Sequence, residues 1–174
     1  MTISYPDTLA LSRKVLRLLI KLNLLVGVLI LGLLVLSVVL EEPVMRALGA
    51  GSPEANARLY LGMRLVGVIG IAAVPVVHFI LTRLLTMVDT VSVGDPFVMA
   101  NAARLQNIAW GVLVLELMHL AVGAIAAGVS TASAPFDIDW SFSPTRWVTV
   151  LLLFVLARVF EQGAQMREEL EGTV

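Results

Sequence analysis

The residues of this chain best suited to chemistry are a carboxylate and an imidazole inside one long apolar segment. Glu116 and His119 lie three residues apart between Leu105 and Val129, so on a helix they share one face. An ionised carboxylate near a bilayer centre costs roughly 2.5–3.5 kcal/mol or more, which makes such residues rare. We expect Glu116 either to be protonated and neutral or to pair with a protonated His119. The two residues are a candidate proton site, and a packing contact that fixes helix register is the alternative.

His78 is the third residue of this candidate buried polar site. Two histidines on neighbouring helices can bind a haem iron from both sides, but His78 and His119 differ in depth by roughly 10 Å at 1.5 Å per residue. Glu-x-x-His is also half of a di-iron motif, yet no other Glu lies within an apolar run, since the last run extends from about Trp147 to Phe160 and only its more polar continuation contains Glu. Catalytic Ser/His/Asp sets, phosphate-binding loops and zinc spacings are missing as well. The sequence therefore predicts a chain with no cofactor, no metal and no catalytic residue.

The composition of the chain indicates that lipid is its solvent. Of the 174 residues, 59% are hydrophobic and 14% are charged, and the mean hydropathy is +0.94. Soluble domains are about 45–50% apolar, and a globule of this size needs a more polar surface. The net charge of −1 argues against direct binding of nucleic acid, and the absence of cysteine excludes disulfides and thiolate sites.

Four apolar segments are long enough to cross about 30 Å of hydrocarbon as helices. They cover about residues 18–40, 61–85, 105–129 and 147–168. The first follows a basic cluster, as in a signal peptide, but it is too long and lacks a small-residue cleavage pattern, so we expect an uncleaved anchor. The connections are too short for a second domain. We predict one all-α membrane domain over residues 1–174, an up-down four-helix bundle.

The positions of Lys and Arg predict that both termini are cytoplasmic. The side that holds the termini has eight of them: Arg13, Lys14, Arg17, Lys21, Arg83, Arg104, Arg158 and Arg167. The other side has four: Arg46, Arg58, Arg64 and Arg146. Interfacial aromatics fit this orientation, with Trp110 at the inner surface and Tyr60, Trp140, Phe142 and Trp147 at the outer one. Arg158 is expected to reach the inner interface and to pair with Glu161.

Small and polar residues recur at helical spacing and predict the inward faces of the first three spans. These residues are Asn23, Gly27, Ile30, Leu34 and Ser37; then Gly67, Gly70, Val74 and His78; and then Ala109, Val112, Glu116, His119, Gly123 and Ala127. Pro75 is expected to kink the second span and to free a carbonyl that His78 could use. We expect Gly94 to end the helix of the second span. Asp95 is then expected to cap the next helix, with Pro96 in its first turn. The connection from Glu41 to Arg58 suggests a brief interfacial helix.

Two stretches of the chain resemble the bacterial family called domain of unknown function 2975. They are Gly94-Asp95-Pro96-Phe97-Val98 with Asn101-Ala102-Ala103-Arg104-Leu105, Ile108 and Trp110, and the ending from Leu152 through Phe160 and Met166 to Val174. The resemblance implies a small four-span protein of the bacterial inner membrane. It also implies a partner, since such proteins are often encoded beside a Cro/CI-type helix-turn-helix regulator. The family has no established reaction, so no catalytic residue follows from it.

Two functional hypotheses follow. The first is a non-enzymatic sensing or anchoring module whose cytoplasmic partner is that regulator, with a candidate partner surface at Asp95, Arg104, Arg167, Glu168 and Glu171. The second is a small proton-coupled carrier or cofactor-binding protein centred on Glu116 and His119. Four helices enclose little space, so a carrier is expected to form a homo-oligomer.

Overall fold

The described part of the chain forms four long helices. A computed structural model describes residues 5–40, 42–43, 47, 53–92, 97–129 and 143–171, with side chains from Thr8 onward and, after the first connection, from Ala57. The helices are α1 (Tyr5–Val39), α2 (Pro53–Ser92), α3 (Met99–Val129) and α4 (Pro144–Glu171). Within these described ranges there is no strand. The all-α class predicted from the sequence is confirmed.

Each helix is long and apolar enough to cross a membrane. The qualifying stretches are Thr8–Val39, Ala57–Ser92, Met99–Val129 and Pro144–Leu170, and in their most apolar windows at most 17% of the residues are buried. On α1, leucines and valines face outward over most of the helix surface, as the consecutive residues Leu24, Leu25 and Val26 illustrate. Exposed apolar surface of this extent requires an apolar solvent, because water would drive it into a core. The chain is a multi-pass membrane protein.

The helices extend past the spans predicted from hydropathy. α1 begins at Tyr5 and α2 ends at Ser92, whereas the apolar segments begin near 18 and end near 85. Threonines in this extension of α2 donate to carbonyls one turn earlier, from Thr86 to Thr82 at 2.9 Å and from Thr90 to Thr86 at 2.8 Å. Hydroxyl groups satisfied within their own helix allow it to remain regular across a polar boundary.

The starts of α3 and α4 differ from the predicted ones. Phe97 and Val98 precede α3, and the carbonyl of Val98 accepts from the amide of Asn101 at 2.9 Å, so the helix begins later than an Asp95 cap would place it. α4 begins earlier than predicted, with Pro144 as its first residue and the carbonyl of Ser143 accepting from Arg146 at 3.1 Å. Ser before Pro is a favoured helix start, because Ser caps and Pro needs no amide partner.

Several expectations lie outside the described residues. They concern the interfacial helix between Glu41 and Arg58, whose connection is described only in part, the stop and cap at Gly94, Asp95 and Pro96, and the outer aromatics Trp140 and Phe142.

Internal contacts divide the chain into two units. Unit 1 comprises Met1–Asn23, Val76–Val114 and Ser143–Val174, and unit 2 comprises Leu24–Pro75 and Leu115–Phe142.

Close approach of glycines to neighbouring side chains holds unit 2 together. A Cβ added at Gly62 of α2 would lie 2.8 Å from both methyl carbons of Val129 on α3. A Cβ added at Gly27 of α1 would lie 3.0 Å from the Val74 side chain on α2. These positions agree with the predicted small-residue stripes, which let helix backbones approach where lipid supplies no hydrophobic drive.

Tyr60 is the exception to the predictions for unit 2. It was expected in an interfacial belt, but it is only 3% exposed and packs with Leu59, Met63 and Val129. Val129 therefore packs against α2 at two places, at Gly62 and at the cluster of Leu59 and Tyr60.

Candidate functional site

Glu116 and His119 lie in unit 2 and are both half-buried on α3. The imidazole Nε2 of His119 is buried and has no hydrogen-bond partner. Within the described chain no ion pair or hydrogen bond joins the Glu116 carboxylate to another residue. The two residues share a face with Gly123 and with Ala126, which is 1% exposed, whereas Ala127 is exposed. The inward stripe is therefore as predicted up to Gly123 and wrong by one residue at its end.

His78 lies in unit 1, in the part of α2 that follows Pro75. Its backbone carbonyl accepts from the Thr82 hydroxyl at 2.9 Å. Its Nδ1 atom is buried without a hydrogen-bond partner, so the expected use of a freed carbonyl is not made through this atom. Across the described residues, no group of three or more His, Asp or Glu side chains could hold a metal ion.

A belt of arginines crosses three helices of unit 1; we call Arg13, Arg104 and Arg158 the arginine belt. On α1, Nε of Arg13 lies 2.7 Å from Oδ1 of Asp89 on α2, and the same guanidinium donates to Ser92. Charge-assisted contacts of this kind are stronger than neutral ones. Arg13 therefore fixes the level at which α1 meets the end of α2.

Arg104 of the belt joins α3 to α2. One guanidinium nitrogen of Arg104 donates to the Thr90 hydroxyl at 2.9 Å and to Oδ1 of Asn101 at 2.7 Å. Asn101 is fully buried, so its amide oxygen needs this donor. Arg104 was expected on a partner surface, but its half-buried side chain is engaged in this network.

Arg158 borders a groove between α3 and α4. Ala103, the residue before Arg104, borders the same groove. The α3/α4 groove has a volume of about 220 Å³, and Ala102 and Ala157 lie buried at its floor. Its walls are Met99, Ala103 and Gln106 on α3 and Phe154, Arg158 and Glu161 on α4. Arg158 donates to Glu161 at 2.7 Å, which agrees with the expected pair.

The two stretches that resemble the family meet in unit 1. Phe97, just before α3, packs its ring 5.3 Å from the ring of Phe160 on α4. The same ring covers Gly163, where an added Cβ would lie 3.1 Å from it. Farther along the two helices, Trp110 makes an edge-to-face contact with Phe154 at 5.2 Å. Residues more than forty positions apart in sequence thus form one packed surface.

The other residues of the predicted partner surface lie near the end of α4. Arg167 is half-buried and Glu168 is exposed, while Glu171 is the last residue of the helix. Asp95 lies outside the described residues. Arg104 contributes to the packing between α2 and α3, and a partner surface at the α4 residues stays a prediction.

Arg64 is a polar residue whose role the sequence did not reveal. It was counted only as a flanking charge, but its guanidinium donates to the carbonyl of Ser37 at 2.6 Å. Ser37 is in the last turn of α1, where carbonyls lack partners within the helix and the helix dipole is negative. A cation from α2 thus caps α1. The sequence did contain a signal for this contact. Arg64 is three residues before Gly67, so it lies on the same face of the helix as the predicted small-residue stripe at Gly67 and Gly70.

These observations define an all-α, multi-pass membrane protein with an arginine belt in unit 1 and the Arg64 cap of α1 in unit 2. The sequence model of the family described as "Protein of unknown function (DUF2975)" matches residues 43–174. The chain belongs to this family, as the resemblance of its two stretches implied. No match was found among curated proteins or among solved structures.

Proposed function

We propose that this chain is a non-enzymatic sensing or anchoring module of a bacterial inner membrane, and that a cytoplasmic protein binds to the end of α4. The proposal rests on one observation above all. Phe97 joins the two family-like stretches by packing against Phe160 and Gly163. A surface assembled from distant parts of the sequence is a better candidate for recognition than a single helical tail.

The exposed residues at the end of α4 suit a protein partner. Met166 is 60% exposed and Leu170 is 71% exposed, one turn apart on the same face. Glu169, at i+3 from Met166, is exposed beside this strip, and Glu168 is exposed on the opposite side of the same turn. An apolar strip with charged neighbours outside the hydrocarbon layer is typical of a protein-binding helix. The family resemblance implies that the partner is the small helix-turn-helix regulator.

The test is co-purification of that regulator with the full-length protein in lipid nanodiscs. Glu168→Lys combined with Met166→Ser should weaken retention of the regulator at least threefold, more strongly at low salt than at high salt, because rim charges are screened. Lys14→Glu, on an exposed position of α1, is the matched control and should retain it. Equal retention by all three proteins would exclude the α4 surface.

The proposed orientation has its own test. With both termini in the cytoplasm, a reporter that is active only in the periplasm should be silent when fused after Val174. The same reporter should be active when inserted near Ser133. The reverse pattern would overturn the orientation and, with it, the cytoplasmic partner.

A second candidate function is a small proton-coupled carrier or cofactor-binding protein. It is favoured by the buried, unpartnered Nε2 of His119, one turn from Glu116 on a predominantly apolar helix. Glu116 carries the carboxyl group that a proton-coupled carrier needs inside its span. Transport in proteoliposomes that follows a proton gradient, and that Glu116→Gln abolishes, would support this function.

A further inference from the structure

The α3/α4 groove has a polar end and an aromatic end. Its two walls follow the same helical spacing: Met99, Ala103 and Gln106 on one side and Phe154, Arg158 and Glu161 on the other. Continuing the α3 wall by one turn reaches Trp110, which is 54% exposed and contacts Phe154. Along its α4 wall the groove therefore changes from the charged pair Arg158 and Glu161 to Phe154, which contacts Trp110.

This gradient coincides with the boundary of the membrane. The arginine belt lies at the charged end, and the predicted span of α3 begins at Leu105, next to Gln106. Trp and Arg are the side chains that favour the interface between headgroups and hydrocarbon. A phospholipid at this depth matches the groove, because its charged headgroup would lie at the charged side chains and its acyl chains at the aromatic ones.

The charges in the groove select among phospholipids. Arg158 and Glu161 form a pair with no net charge, 68% and 37% exposed respectively. An anionic headgroup gains no net attraction from such a pair. A zwitterionic headgroup can contact both, because the remaining guanidinium N–H groups can donate to its phosphate and the carboxylate can accept from its amine. A primary amine has N–H donors for Glu161, whereas a trimethylated amine has none.

We propose that the α3/α4 groove binds a phospholipid with a primary-amine headgroup, phosphatidylethanolamine, with its phosphate at Arg158 and its ammonium at Glu161. Phe154 and Trp110 then lie beside the first part of an acyl chain. This site is independent of the protein partner proposed above, since its polar residues precede Met166. It is a lipid site rather than general contact with the bilayer.

Trp110 offers a direct readout, because brominated acyl chains quench nearby tryptophan fluorescence. The full-length protein with Trp140→Phe and Trp147→Phe keeps Trp110 as its only tryptophan. It is reconstituted in phosphatidylcholine containing brominated phosphatidylethanolamine, brominated phosphatidylglycerol or brominated phosphatidylcholine at equal mole fractions. We expect the relative association constant of the ethanolamine lipid to exceed that of phosphatidylcholine about threefold, as for a partly exposed charged contact.

Variants in the same background separate the two headgroup contacts. In Glu161→Gln the association constants of phosphatidylethanolamine and phosphatidylcholine should become about equal, because a neutral amide attracts an ammonium group much less. Arg158→Gln should lower quenching by both phosphatidylethanolamine and phosphatidylcholine, because both lipids have the phosphate that Arg158 contacts. Lys14→Gln is the control and should keep the wild-type preference. Retention of phosphatidylethanolamine by the wild-type protein, measured by native mass spectrometry, checks that the tryptophan substitutions did not alter the site.

Three results would overturn the proposal. Equal quenching by the three lipids indicates ordinary boundary lipid. A preference for phosphatidylglycerol that survives Glu161→Gln indicates an anionic-lipid surface. Weak quenching by every lipid, together with a dimeric mass in nanodiscs, indicates that a second copy of the chain covers the groove.

Discussion

The two units of this protein hold their helices together by different means. In unit 2 the contacts between α1 and α2 and between α2 and α3 depend on glycines at Gly27, Gly62, Gly67 and Gly70, each facing a branched aliphatic side chain. In unit 1 the corresponding contacts are an ion pair, an arginine network and two aromatic pairs. Gly111, which faces Ile80, is the unit 1 counterpart of the glycine contacts.

The difference indicates where specificity is located. Small-residue packing aligns helices by shape alone, and every such contact resembles the others. Charged and aromatic contacts need particular partners at particular positions, so they define a level along each helix. Both family-like stretches lie wholly in unit 1, which agrees with the proposal that this unit presents the surfaces for a partner and a lipid.

The largest expected effect is on the glycine contacts. Gly62→Ala and Gly111→Ala should each destabilise the protein by about 1–3 kcal/mol, since the added methyl would lie 2.8 Å from a branched side chain that has few ways to move. Gly32→Ala and Gly128→Ala are matched controls with nothing within 4 Å, and they should be neutral or slightly stabilising. Unfolding by SDS in mixed micelles, followed by tryptophan fluorescence, measures all four. Similar values at the four positions would contradict the packing argument.

Loss of the Arg64 cap should have the next largest effect. Arg64→Met keeps an extended apolar stem but leaves the Ser37 carbonyl without this donor, at an expected cost of about 1–2 kcal/mol. Arg17→Met, at an exposed position of α1, is the control. The same SDS titration measures the difference, and equal stability of the two variants would remove Arg64 from the packing of unit 2.

The ion pair of unit 1 should contribute less, because its side chains are 34% and 50% exposed. A double-mutant cycle with Arg13→Gln and Asp89→Asn should give a coupling free energy of about 0.5 kcal/mol that decreases as salt is added. A coupling free energy independent of salt would mean that the pair is desolvated in the membrane protein.

Glu116→Gln should have the smallest effect on stability, below about 0.5 kcal/mol, because the carboxylate forms no hydrogen bond or ion pair with a described residue. The same SDS titration measures the difference between the Gln variant and the wild-type protein. A large loss of stability would point to a partner for Glu116 that lies outside the described residues.

The sequence predicted the helices well because their signals are local. Each of the four apolar segments fell within a helix, and the small-residue stripes at Gly27, Gly67 and Gly70 were confirmed as contact positions. The ends were less accurate. Hydropathy reports where a helix is apolar, not where it stops, so the polar turns at the start of α1 were missed.

The candidate sites were less predictable for a related reason. Arg158 and Glu161 could be paired from their spacing on one helix, but the facing wall at Ala103 and Gln106 could not. Arg64 and Tyr60 looked like boundary residues, and the structure uses one as a cap for another helix and buries the other. In each case the missing information was which helix lies opposite.

The sequence by itself determined that this chain has four membrane helices, because lipid forces every backbone polar group to be satisfied within its own segment and twenty apolar residues then suffice to specify a span. Only the tertiary structure decided that Phe97 covers Gly163, that Arg104 joins Thr90 to Asn101, and that Arg158 and Glu161 border a groove. Contacts between helices depend on rotation and depth, and neither is encoded in the composition of any single segment.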